Sequence, residues 1–163
     1  MTPLDRFAST AATYCEWCRS TPADPRTEAQ QAFELLAKLQ QQAEWLHVSK
    51  DAQPAFQPAP ASEAARQAVI QRARALPFQN YEHLATPKKP ARNPRAAQSP
   101  APLGDIAEDL AKIYTDLAAG LDCFTHAHRD QAEHIWRSRY NSSWGQPARD
   151  AGRVLGLWLG RAN

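Results

Sequence analysis

The stretch Gly104-Asp105-Ile106-Ala107-Glu108-Asp109-Leu110-Ala111-Lys112-Ile113-Tyr114-Thr115-Asp116-Leu117, running on to Gly120-Leu121, decides the fold class. Ile106, Leu110, Ile113, Leu117 and Leu121 recur every three or four residues, which is the repeat of one helix face. Asp105, Glu108, Asp109, Lys112 and Asp116 fall on the opposite face, and Asp105 stands where the helix starts. A helix with one apolar face has to bury that face against other elements, so its neighbours decide the rest.

Those neighbours also read as helices. Leu4, Phe7, Ala11, Tyr14, Cys15 and Cys18 form one stripe between Thr2 and about Arg19. Asp24-Pro25, a capping side chain followed by proline at the first helical position, opens a second helix. Its stripe is Phe33, Leu36, Leu39, Ala43 and Leu46, and it is expected to end near His47. Ser62 caps a third, with Ala65, Ala68, Val69, Ala73 and Leu76 inward. Pro77 restricts Leu76 and predicts a new short helix over 77–84. Beyond the central helix, Ala132, Trp136 and Tyr140 mark one over about 129–143, ending at Trp144-Gly145. Pro147 opens the last, with Ala148, Ala151, Val154, Leu155, Trp158 and Leu159 inward.

Composition agrees. The chain has 163 residues, with 31 Ala, 14 Leu and 13 Gln against 3 Val and 4 Ile, so strand formers are scarce. We expect one all-α domain over 1–163, a bundle of about six helices. Pro54, Pro58 and Pro60 make 48–61 a loop. Residues 86–104 carry five prolines, four cations and no acid, and predict a flexible basic linker. The net charge of +2 thus divides into a segment at +4 and a helical body at −2.

No apolar run approaches the roughly 20 residues of a membrane span. Met1 to Phe7 lacks a basic-then-apolar leader, and three cysteines form no disulfide framework, so a cytoplasmic protein with reduced thiols is expected. The basic linker has no aromatic among its cations, and nucleic acid is not the expected partner.

The chain resembles the bacterial domain-of-unknown-function 5063 family. The resemblance rests on Arg6-Phe7 through Tyr14-Cys15-Glu16, on Leu35-Leu36-Ala37-Lys38-Leu39, and on Leu76-Pro77-Phe78 with Tyr81. Its most specific parts are the 104–121 block and the tryptophan-rich end, Trp136 and Ser143-Trp144-Gly145. That family tends to carry histidine before the Trp-Gly pair, where this chain has Ser143. The resemblance implies a small helical bundle and no activity.

Several residues carry candidate chemistry. Asp105 with Glu108, and Asp130 with Glu133, are acidic pairs three apart, the spacing that puts two hard oxygen ligands on one helix face. This is the basis for an alternative reading as a Mg²⁺-dependent hydrolase of nucleotides or phosphoesters. A solvated helix face explains the same acids. Cys15, Cys18, Cys123 and His126 have the count of a zinc site, but the first two lie on an apolar helix face. Gly152, Gly156 and Gly160 recur every four residues, so another backbone can approach there, in this chain or in a homodimer.

Trp17 and Trp45 fall more than 100° from the centres of their stripes, where a tryptophan suits a partner surface. No catalytic constellation stands out. The expected function is a non-enzymatic protein-binding module, in one form an immunity-type inhibitor of a bacterial toxin or effector, without cofactor. Trp17, Trp45, Asp105, Glu108, Asp109 and Asp116 are its expected contacts, and an acidic face suits a basic partner.

Overall fold

The computed structural model describes residues 1–51, 54–82 and 103–161. Six α-helical stretches follow one another: α1 (Pro3–Arg19), α2 (Pro25–Ala43), α3 (Glu63–Ala73), α4 (Ile106–Thr125), α5 (Arg129–Arg139) and α6 (Gly145–Arg161). The all-α expectation holds. Four helix starts lie where the sequence puts them, because each has an oxygen-bearing side chain to satisfy free backbone N–H groups. Thr2 and Asp5 form a capping box on α1, while Asp24, Ser62 and Asp105 cap α2, α3 and α4.

Helix α4 is the hub. It packs against α1, α3, α5 and α6, while α2 lies against α1 and α6. The centre is aromatic: the Phe7 ring sits 4.9 Å from Trp136 and 6.0 Å from Trp144, and all three are fully buried. Each indole N–H has a backbone acceptor, Leu117 for Trp136 at 3.0 Å and Trp136 for Trp144 at 3.1 Å. Gly120 makes this possible, since a Cβ there would overlap the Trp136 indole.

Three local expectations are corrected. The segment after Pro77 forms a strand rather than a helix. Strand β1 (Asn80–Glu82) pairs antiparallel with β2 (Leu103–Asp105), and Tyr81 faces Gly104. The Tyr81 ring occupies the space a Cβ at position 104 would need, so the pairing rests on a glycine. Trp144-Gly145 does not end a helix. Tyr140–Trp144 form a π-turn that carries α5 on into α6 without a break. Gly145 has helical dihedrals, and any Cβ on it would strike the Tyr140 carbonyl, so this glycine serves the wide turn and not a cap. Pro147 does not open the last helix, which starts at Gly145; it cannot donate to the backbone four residues back, and the π-turn before it already interrupts that ladder.

Residues 48–51 and 54–61 form no helix or strand, as expected. Side chains of α4 and α5 hold this loop: Ala59 N–H donates to Asp122 at 2.8 Å, and Phe56 N–H donates to Gln131 Oε1 at 3.1 Å. The basic linker expected over 86–104 lies outside the described residues, except Leu103 and Gly104, which belong to β2.

Gly120→Ala tests the hub. Helix propensity alone favours alanine by about 1 kcal/mol. Overlap with a pinned indole outweighs it, and urea denaturation is expected to show a net loss of about 1–3 kcal/mol. Gly160, with nothing within 4 Å of its Cβ position, is the control, and Gly160→Ala is expected not to destabilise.

Candidate functional site

The acids of α4 are held by other parts of the fold. Asp105 caps the helix, accepting from Ala107 N–H at 2.9 Å and Glu108 N–H at 3.3 Å. Glu108 pairs with Arg66 of α3, and Asp109 accepts the Tyr81 hydroxyl. Asp116 is only 7% exposed and bridges Arg139 at 3.2 Å and the Ser143 hydroxyl at 2.5 Å. Asp116 is therefore not part of an outward acidic face. Its charge is taken up by a guanidinium and a hydroxyl brought in by α5 and the π-turn.

The four-carboxylate metal set is not assembled. Asp105 and Glu108 stand at the start of α4, whereas Asp130 and Glu133 stand on the first turns of α5, beside the far end of α4. Most of a 20-residue helix lies between the two pairs, about 20–30 Å. Glu133 accepts the His47 N–H at 3.0 Å. Cys15, Cys18 and Cys123 are buried free thiols, and burial pushes Cys15 up to about 12 and the other two upward as well. A zinc ligand needs the thiolate, which burial disfavours. Among the described residues, no group of three or more His, Cys, Asp or Glu is placed to hold a metal ion.

Trp17 is the second correction to the expected contact set, because it is only 8% exposed. The Arg72 guanidinium of α3 covers it at 4.0 Å from the ring centroid. Arg72 pairs with Glu28, whose side chain is 1% exposed, and Glu28 also accepts the Ala23 N–H at 2.7 Å. Arg72 further donates to the Ser20 carbonyl at 3.3 Å. One buried ion pair thus ties the α1–α2 turn to α3. Sequence reading missed it, since the three residues are far apart in the chain. The only signals were Trp17 off its stripe and a glutamate in the first turn of α2.

Trp45 is different: it is 67% exposed. Leu46, 4% exposed, anchors the turn after α2, and Arg137 donates to the Ala43 carbonyl at 2.9 Å, so the end of α2 is pinned with Trp45 outside. Trp45 borders a groove of about 380 Å³ with Pro3, Arg6, Gln41 and Gln42. The Gln42 side-chain oxygen is buried without a hydrogen-bond partner. Asp5, next to Arg6, is not its counter-ion. The Thr2 hydroxyl and Arg129, at 2.5 Å, hold the Asp5 carboxyl down to about 2.

The glycine row is used mainly within the chain. Gly152 faces Gln40 and Gly156 faces Phe33, both on α2, while Gly160 has open space. Among the described residues, no helix is long and apolar enough to cross a membrane.

The buried pair makes a measurable prediction. Arg72→Met leaves a carboxylate buried without a partner and is expected to cost about 3–5 kcal/mol in urea denaturation. Adding Glu28→Gln is expected to recover part of that loss, and additivity of the two single losses would refute the coupling.

The comparisons with known proteins bear on fold and family. A crystal structure of protein BF1032 from Bacteroides fragilis superposes with a TM-score of 0.70 at 19% identity, covering 98% of this chain and 96% of that one. At that identity the likeness speaks for the fold alone. No curated protein matches the chain. The family model described as a domain of unknown function, DUF5063, matches residues 3–159, and the chain belongs to that family.

Proposed function

We propose that this chain is a cytoplasmic, non-enzymatic protein-binding module that meets its partner where the start of α1 adjoins the end of α2. The observation that carries the proposal is Trp45, a large apolar ring held two-thirds exposed beside a groove. An exposed indole leaves roughly 2 kcal/mol of burial that a partner can recover. Tryptophans in such positions are enriched at interfaces and among their strongest contacts. Trp17 and Asp116 are buried and no longer support the contact surface, and the remaining α4 acids are engaged by a cap, Arg66 and Tyr81, which weakens the argument for a basic partner. A cognate inhibitor of a bacterial toxin or effector is one form such a module takes, and a toxin encoded in the adjacent reading frame is its direct test.

Affinity capture from a lysate of the source cell, read by mass spectrometry, is expected to retain a specific protein that Trp45→Ala loses. With that partner purified, titration calorimetry is expected to show a loss of at least about 2 kcal/mol, roughly thirtyfold in Kd. Unchanged affinity in the variant refutes this contact.

The hydrolase alternative rests on four acids that α4 holds apart. Titration with Mg²⁺ or Mn²⁺ is expected to give no saturable heat. Saturable binding abolished by Asp105→Asn overturns the binding-module reading.

A further inference from the structure

The Trp45 groove is one end of a longer seam. A second depression, of about 350 Å³, is lined by Thr13, Trp17 and Ser20 of the α1 side and by Gln31, Glu34, Leu35 and Lys38 of α2. The α1-side positions 3, 6, 13, 17 and 20 are spaced by three, four and seven, so they form one stripe, separate from the buried stripe of Leu4, Phe7, Ala11, Tyr14 and Cys18. The α2 positions 31, 35, 38 and 42 do the same, and Trp45 follows in the turn after the helix. A five-residue connection makes α1 and α2 antiparallel neighbours, and the linings set position 6 against 42 and 13 against 35. Both depressions therefore lie along one interhelical seam, which runs from position 3 to position 20 of α1, about 25 Å. Both tryptophans that fall off the core stripes border it, Trp45 open and Trp17 at the floor.

The lining of this seam carries two cations and one acid, a net charge of +1. Arg6 and Lys38 line it, and neither has an ion-pair partner among the described residues. Nearby acids are held elsewhere: Asp5 by Arg129, Glu28 by Arg72 and Glu44 by Arg137. The one acid in the lining, Glu34, accepts the neutral Gln30 amide at 2.7 Å and keeps its charge, one turn from Lys38, so Arg6 is the cation with no acid beside it in the lining. By the same register Lys38 stands level with position 10, so the two cations are about 6 Å apart along the seam, one helical turn.

Resting on the binding-module reading, we infer that the α1–α2 groove docks an acidic helical segment of a partner protein. Two carboxylates three or four residues apart meet Arg6 and Lys38, and an apolar side chain packs on Trp45. A helix laid in a groove between two helices is an established mode of recognition, and carboxylates at that spacing share one face. Charge complementarity selects an acidic segment over a basic or neutral one. The surface partner expected from the α4 acids is thereby reversed in sign.

The test is selection of a displayed library of random 16-residue peptides on the immobilised full chain, with counter-selection on Trp45→Ala. The expected winners are net acidic with carboxylates three or four apart. As synthetic peptides they bind at least about tenfold more weakly to Arg6→Gln/Lys38→Gln, and more weakly as salt rises. Thr13→Glu, in the middle of the seam, weakens the same peptides. Circular dichroism checks that each surface variant is folded. Winners that need Trp45 but are neutral or basic, and ignore the loss of both cations, overturn the acidic partner and leave the binding module standing. No Trp45-dependent winner overturns the binding module at this corner together with the inference. A single-stranded oligonucleotide that binds through the same two cations and competes with the peptides overturns a protein segment as the occupant.

Discussion

The contact between the Trp136 indole and the bare backbone of Gly120 is the constraint on which the rest of the structure depends. It lets α5 approach α4 closely enough for the indole N–H to reach the Leu117 carbonyl. It also places Trp136 against Phe7, which brings α1 into the same centre. Trp144 follows from the same chain segment, bonded to the carbonyl of Trp136 and reached through the π-turn. Large rings of this kind dominate core energetics, and their two N–H groups are satisfied without water.

A hub helix has consequences for its polar face. An amphipathic pattern says which side is apolar, but it does not say that the other side meets solvent. Around α4, neighbours reach most of its acids even where the face stays open to solvent. Arg66 of α3 takes Glu108, Tyr81 of β1 takes Asp109, and Arg139 with Ser143 takes Asp116. The acids become links between elements that are distant in sequence. The same logic applies to Glu28 and Arg72, which close over Trp17. Polar residues therefore add links between elements to those the apolar core already makes.

Much of the fold was legible in local chemistry. Thr2, Asp24, Ser62 and Asp105 mark helix starts because an unpaired N–H needs an oxygen within a few residues, a demand that sequence alone can meet. The strand at Asn80–Glu82 was not legible, because its partner lies more than twenty residues away and three residues show no periodicity. Gly145 looked like a stop for the same reason. Its role depends on the carbonyl five residues back, a distance that only the π-turn creates.

The candidate site divides in the same way. The angular offset of Trp45 from its stripe is a local property of α2, and the exposed ring agrees with it. Trp17 has the same offset and is buried, because Arg72 arrives from α3. The sequence by itself determined the helices, their caps, their inward faces and the all-α class, since each depends on neighbours within about two turns. Which polar residues stay free, which tryptophan is open, and where the unpaired cations stand were decided only by tertiary packing. Those properties depend on what another element brings within a few ångströms, and no periodicity along one helix encodes its neighbour.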